Sequence, residues 1–149
     1  MNDWTFRGEV FNVAPEDCVG FVYCIENTTN GRKYIGKKQF WSINRKKVKG
    51  KKRKVKVETE SDWKTYHGSS GDVAADVEKL GAGKFKREIL HLCKSKAECS
   101  YLELHEQVIR RALIDDSYYN SWIRVRVTKS HLKSLRDSDF LSQFPSRKL

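Results

Sequence analysis

Two tyrosines and a helical carboxylate carry most of the chemistry this sequence could do. Tyr23 lies in the run GFVY and Tyr34 in the run YIG, with ten residues between them. Glu103 and Glu106 follow much later, three apart, on what reads as one polar helix face. A single carboxylate can hold a hard divalent cation, with water and phosphate oxygens filling the other positions. A phenol ionises near pH 10, so it serves as a base only where positive charge lowers that value. Cleaving a phosphodiester needs such parts: an activated water, a cation on the phosphate, and help for the leaving oxygen. Taken singly, each residue has a plainer reading. A strand tyrosine is usually a core or cross-strand aromatic, and a helix glutamate is commonly solvated.

The charge distribution points to a polyanion. Lys and Arg number 30 against 19 Asp and Glu, for a net charge of +11 over 149 residues. Residues 45 to 56 read RKKVKGKKRKVK, and nine of the twelve are basic: Arg45, Lys46, Lys47, Lys49, Lys51, Lys52, Arg53, Lys54 and Lys56. Taking nine from +11 leaves +2, so a nearly neutral domain carries one basic insertion, 45–57. So dense a block repels itself and does not pack into a core. It suits phosphate binding by counterion release; a solvated loop or a localisation signal is the plainer alternative.

The elements that must position these residues can be read in outline. VGFVYCIE, the turn signal NTTNG and RKYIG form a β-hairpin over 19–36. Valines 48, 55 and 57 with Gly50 allow a β-ribbon within the insertion. A short helix is expected after Ser61, ending at Gly68. Val73, Val77 and Leu80 space a helix over 70–80, with Gly81 at its C-terminal cap. FKREILHLC, 85–93, is a third strand. Ser95-x-x-Glu98 reads as a capping box opening a helix over 96–113. Its apolar stripe would be Ala97, Tyr101, Leu104, Val108 and Ala112. In WIRVRV, Trp122, Arg124 and Arg126 alternate with Ile123, Val125 and Val127, giving a half-buried strand or an extended arm. Residues 4–13 read as a short strand or an ordered arm. Leu132, Leu135, Phe140, Leu141 and Phe144 are anchors in a polar tail.

These elements predict a small α+β domain, a mostly antiparallel three-stranded sheet flanked by helices. Residues 1–18 would be an N-terminal arm, 19–127 the domain and 128–149 the tail. No apolar run approaches the roughly 18 residues of a membrane span, and MNDWTFRGEV does not read as a secretory signal. Cys18, Cys24, Cys93 and Cys99 have five residues between partners, a poor zinc spacing, and are expected as buried free thiols.

GFVYCIENTTNGRKYIG resembles the signature hairpin of the GIY-YIG nuclease superfamily. Gly20 and Tyr23 match, with Phe21-Val22 where many members have one Ile, and NTTNGRKYIG matches closely. GSSGDVAADVEKLGAGKFKREIL resembles the central helix and third strand of that family. Glu103 and Tyr119-Asn120 resemble its carboxylate and closing motif. The likeness covers roughly residues 19–127. SDWKTYHGSS and YYNSWIRVRV are most similar to members encoded by bacteriophages.

The resemblance implies a metal-dependent endonuclease that hydrolyses DNA, with Mg²⁺ or Mn²⁺ as cofactor, working in the cytoplasm of a bacterial host. It implies Tyr23 as base and Tyr34 as support for water and phosphate. Glu103 would be the metal ligand, because Glu103-x-x-x-Gln107 is closer to the phage members than Glu106. Gly36 would be structural, and Asn120 would tie the segment after the last helix to the hairpin. The family's arginine sits about ten residues after the second tyrosine. Here Asn44 stands at that spacing and Arg45 follows it, with Lys64 and Lys38 as rival cations. His67 reads as a surface histidine, with a proton carrier as the alternative. The insertion, Lys38, Arg124 and Arg126 would grip the DNA backbone without reading sequence. High cutting specificity would then need a homodimer or base contacts from the insertion. A binding module that does not cut, and a virion or adaptor protein using the basic arm, are the alternatives.

Overall fold

The structure, a computed structural model, describes residues 2–138 and 140–143. In chain order the strands are β1 (Trp4–Phe6), β2 (Glu9–Val10), β3 (Gly20–Asn27), β4 (Lys33–Gln39), β5 (Trp41–Lys46), β6 (Val55–Glu60) and β7 (Phe85–Cys93). The helices are α1 (Gly71–Leu80), α2 (Lys96–Ile109), α3 (Lys133–Arg136) and α4 (Phe140–Gln143). None of the described helices is long and apolar enough to cross a membrane.

The class is α+β, but the sheet is larger than the three antiparallel strands expected. It has five strands in the order β2-β1-β7-β3-β4, and β1 runs parallel to β7. The extra strands come from residues 4–10. Trp4 anchors them: it is almost fully buried, stacks edge-on against Phe21 at 5.0 Å, and donates its indole N–H to the Trp63 carbonyl at 2.7 Å. Within 1–18, the expected arm, these residues pair with the domain's own sheet.

β3 is buried on both faces. Phe21, Tyr23 and Ile25 enter a cluster with Phe40, Trp63, Val73 and Phe85, on the α1 side. Val22 and Cys24 enter a second cluster with Ile35, Cys93, Cys99, Leu102 and Leu135, on the α2 side. The strand therefore reads as an apolar run rather than an alternating one. Its turn to β4 is secured by Asn27, whose side-chain oxygen accepts from the Thr29 N–H at 3.1 Å and hydroxyl at 2.6 Å. Gly31 supplies the positive φ of +75° that closes it. All four cysteines are buried and free.

The basic segment is the distal part of a ribbon whose strands begin outside it, and Val48 lies in the tip rather than on a strand. β5 and β6 pair antiparallel as a separate two-stranded sheet, from Trp41↔Glu60 to Lys46↔Val55. The short helix expected after Ser61 is a single 3-10 turn, Trp63–Thr65. Trp63 is fully buried there, and packing of its ring holds the segment rather than helix propensity.

α1 matches its expected span, with Ser70 accepting from the Val73 N–H at 3.4 Å and Gly81 at φ +89°. α2 departs from its expectation twice. It stops at Ile109 instead of 113 because Arg111 turns left-handed at φ +57°, with the Ala112 N–H bonding back to the Gln107 carbonyl. Its buried face is also not the expected stripe: Cys99, Leu102, Glu106 and Gln107 face the sheet, whereas Val108 is 58% exposed. The burial of Glu106 is tolerated because His91 bonds one oxygen at 2.8 Å and the Arg110 Nε–H the other, also at 2.8 Å. Ser95 caps the helix by accepting from the Glu98 N–H, but the Glu98 carboxylate accepts from Ser134 instead of returning to Ser95. From Ser121 to Thr128 the chain forms no helix and pairs with no strand. Leu132 and Leu135 are buried anchors, and Phe140 packs on the second cluster. Phe144 and the side chain of Leu141 lie outside the described residues.

Candidate active site

The hairpin register sets the two phenols side by side. Tyr23 pairs with Gly36, and Tyr34 with Ile25, two residues along. Residues 23 and 34 therefore project from the same face, and their ring centroids are 6.2 Å apart. Tyr66 closes the group edge-on to Tyr23 at 6.0 Å. A register shift in the β3–β7 pairing falls between Val22 and Tyr23, leaving Leu90 as the extra residue on β7. Such bulges re-aim side chains beside functional sites. Two glycines make room for the phenols. A Cβ on Gly36 would overlap the Tyr23 ring, and Gly68, at φ +89°, lies under both phenols.

Tyr23 is 1% exposed, and burial pushes its hydroxyl well above the ordinary phenol value, with Tyr66, Tyr34 and Glu103 adding to the shift. The basic surroundings expected to lower it are not what Tyr23 meets in the protein alone. Tyr34 is shifted the same way, chiefly by burial, although its bond with the Ser69 hydroxyl (3.2 Å) opposes the rise. Both phenols are therefore neutral at physiological pH.

Tyr34 opens into a cleft of about 500 Å³ along the outer edge of β4. Glu103 and Gln107 of α2, Ser69 to Asp72 at the start of α1, and Tyr119 to Arg124 also line it. Glu103 is half-buried, and burial raises its carboxyl above 4.5, offset in part by the positive charge of Lys37. Among the described residues Glu103 has no hydrogen-bond or ion-pair partner. Lys37 lines the same cleft, with its ammonium donating to Ser100 at 2.7 Å.

Asn120 completes the edge. Its side-chain oxygen accepts from the Ile35 N–H at 3.0 Å, and its amide donates to the Ile35 carbonyl at 2.8 Å. Gln107 gives that carbonyl a second donor at 3.3 Å. One step back, Lys33 and Tyr118 form a parallel bridge. The segment after α2 is thus fastened to the open strand by backbone bonds and then by one side chain acting as a strand partner would.

The expected cations fall elsewhere. Arg45 sits exposed on β5, and Lys64 pairs loosely with Glu60 at 3.8 Å; neither lines the cleft. Lys38 is held by Asp62 at 2.6 Å and lies over the Tyr66 ring. Lys46 and Lys56 are on the ribbon strands, and Lys47, Lys49, Lys51, Lys52, Arg53 and Lys54 occupy its tip, all exposed. Arg124 lines the cleft, and Arg126 is exposed two residues on. His67 is half-buried rather than at the surface: its Nδ1 lies 2.9 Å from the Thr65 carbonyl, and burial favours the neutral ring. Sequence reasoning passed over Lys37, Tyr66 and Ser69. Strand alternation would have placed Lys37 beside Ile35, on the side that meets α2. Arg87 was also missed; fully buried, it donates to the carbonyls of Asn2, Lys64 and Tyr66 and so holds the loop that carries Tyr66.

Two phenols side by side on a β-hairpin, a helical carboxylate lining the cleft beside them and an asparagine on the edge strand stand where the hairpin resemblance expects them. A family model described as "Putative endonuclease segE, GIY-YIG domain" matches residues 4–123, and the chain belongs to that GIY-YIG family. No curated protein and no solved structure matches the chain.

Proposed function

We propose that this protein is a divalent-metal-dependent endonuclease that hydrolyses DNA phosphodiester bonds. One observation supports this above the others: Tyr34 and Lys37, from opposite faces of β4, open with Glu103 into one cleft. A phosphate seated there would meet an ammonium, a phenol and an unpaired carboxylate.

Those residues fit a hard cation. Glu103 pays for its half-buried charge without a partner, and Mg²⁺ is commonly held by one or two carboxylates with water and substrate phosphate. Mn²⁺ accepts the same oxygen donors. When bound, the ion supplies Lewis-acid polarisation and a more acidic water. Lys37 draws in the phosphate and offsets charge that builds on its oxygens. Tyr34, steadied by Ser69, orients the attacking water. Tyr23 acts as a neutral phenol behind it, and becomes a base only if positive charge in the loaded site outweighs its burial. The water oxygen bonds phosphorus as the bond to the leaving sugar oxygen breaks, and the proton lost by the water is balanced by one gained at that oxygen. The basic ribbon holds flanking backbone, which positions DNA and raises affinity without reading sequence.

The test is nicking of supercoiled plasmid with Mg²⁺, with Mn²⁺ and with a chelator. Metal-dependent nicking is expected, and Glu103→Ala, Tyr34→Phe and Lys37→Met should each lower it by about a hundredfold, the scale of losing one transition-state partner. Nicking that survives Glu103→Ala would overturn the site. Tight, salt-sensitive binding without nicking in any condition would replace the enzyme with a binding module.

A further inference from the structure

We infer that residues 122–126 are a ridge for a nucleotide that has left the DNA stack beside the scissile bond, with Trp122 as platform for its base and Arg124 and Arg126 as contacts to the same strand. The inference rests on the nuclease reading only for where the scissile bond lies.

The segment keeps strand-like alternation without strand pairing. Trp122, Arg124 and Arg126 are exposed, and Ile123, Val125 and Val127 are half-buried. Exposure that alternates in this way puts residues two apart on the same side of the chain. One aromatic and two guanidinium groups thus form a row that begins in the catalytic cleft, where Trp122 and Arg124 share the lining with Tyr34 and Glu103.

Trp122 is unlike the other three tryptophans. Trp4 and Trp63 are fully buried and donate their indole N–H groups to the Trp63 carbonyl and to Glu60, at 2.7 and 2.8 Å. Trp41 is half-buried and donates to the Cys18 carbonyl at 3.2 Å. Trp122 is 71% exposed, and among the described residues its indole N–H has no partner. The chain two residues before it is fixed, since Asn120 both accepts from and donates to Ile35.

Charge and chemistry identify the occupant. The row is cationic in a chain of net charge +11, which suits a phosphate strand. An indole face beside arginines is how non-sequence-specific sites hold single-stranded nucleic acid, each stacked base contributing about 1 to 3 kcal/mol. In an intact duplex the faces of a base are covered by its neighbours. Only an unstacked base can reach the platform, and it comes out most easily where it is mismatched, damaged or already single-stranded. The substrate class is therefore DNA with an unpaired nucleotide next to the cut.

The experiment uses the full chain in chelator, so that no cleavage is required. Three probes are compared: a single-stranded 15-mer, its blunt duplex, and the duplex with one unpaired thymine. The single strand and the bulged duplex should quench the tryptophan emission of the wild type but not of Trp122→Phe. Trp122→Leu should weaken binding of those two probes about tenfold, Trp122→Phe should restore most of it, and blunt-duplex binding should change less than about twofold. A loss shared equally by the blunt duplex, no loss for any probe, or quenching unchanged in Trp122→Phe would each overturn the ridge. Plasmid nicking is a separate readout, so failure of the nuclease reading and failure of this one are distinguishable.

Discussion

Gly36 faces Tyr23 directly across the hairpin, so closely that a Cβ on Gly36 would lie 2.6 Å from Cζ of the phenol. The glycine is there for the ring and not for a turn. Gly36→Ala is expected to destabilise the protein by about 1 to 3 kcal/mol, the usual cost of overpacking, and to lower nicking by displacing Tyr23. Urea melts check the first effect and plasmid nicking the second. Adding Tyr23→Phe should not rescue stability, because the ring carbons that clash remain.

Asn120→Ala should leave the Ile35 N–H without its bond and the Ile35 carbonyl with only its longer one to Gln107. The expected cost is about 1 to 3 kcal/mol if water does not replace them. Faster hydrogen exchange at the Ile35 amide would show that the strand edge has opened. Asn120→Asp should keep that amide protected, because a carboxylate can still accept from it.

Glu103 should trade stability for function. Its folded-state pKa lies above 4.5 because burial disfavours the charge. The folded protein then binds more protons than the unfolded chain in the window just above 4.5, so stability falls as pH rises through it. Glu103→Gln removes that penalty and should be more stable than wild type at pH 7, with the advantage vanishing below about pH 4. Chemical denaturation at the two pH values measures this, while nicking by the variant should be lost.

Glu106 has the opposite sign. Burial alone would raise it, but the hydrogen bonds from His91 and Arg110 hold its carboxyl at about 2. Its contribution is present above the ordinary value of 4.5 and is lost as pH falls toward 2. Glu106→Ala should cost about 3 kcal/mol at pH 7, as expected on removing one partner of a buried pair. Its stability should fall less on acidification than that of the wild type.

On the proposed reading the ribbon would govern affinity more than chemistry. Replacing Lys51, Lys52, Arg53 and Lys54 by Gln should shallow the slope of log binding constant against log salt by about 0.9 for each phosphate contact removed. Nicking at saturating protein should change little. An unchanged slope would show that the grip lies elsewhere.

Legibility in the sequence followed the range of the forces involved. The hairpin was readable because its turn chemistry and apolar runs are local: Asn27 to Gly31 bend the chain whatever surrounds them, and Tyr23 and Tyr34 then fall on one face by strand pairing. The ribbon was readable for a similar reason, as its valines and Gly50 lie within a few residues of one another. Helix caps at Gly81 and Ser95 are local too. The buried face of α2 was not readable, because Glu106 looks solvated until His91 and Arg110, one from another element, neutralise its burial.

By itself the sequence determined the class of protein, the two phenols, and the concentration of positive charge in residues 45–56. Tertiary structure alone decided that residues 4–10 join the sheet, with Trp4–Phe6 parallel to β7, that both phenols stay protonated, and that Lys37, not Arg45 or Lys64, shares a cleft with Tyr34 and Glu103. The reason is physical: propensity, turn chemistry and charge density act between near neighbours, whereas desolvation and the meeting of two strand faces with a distant helix exist only once the chain has closed on itself.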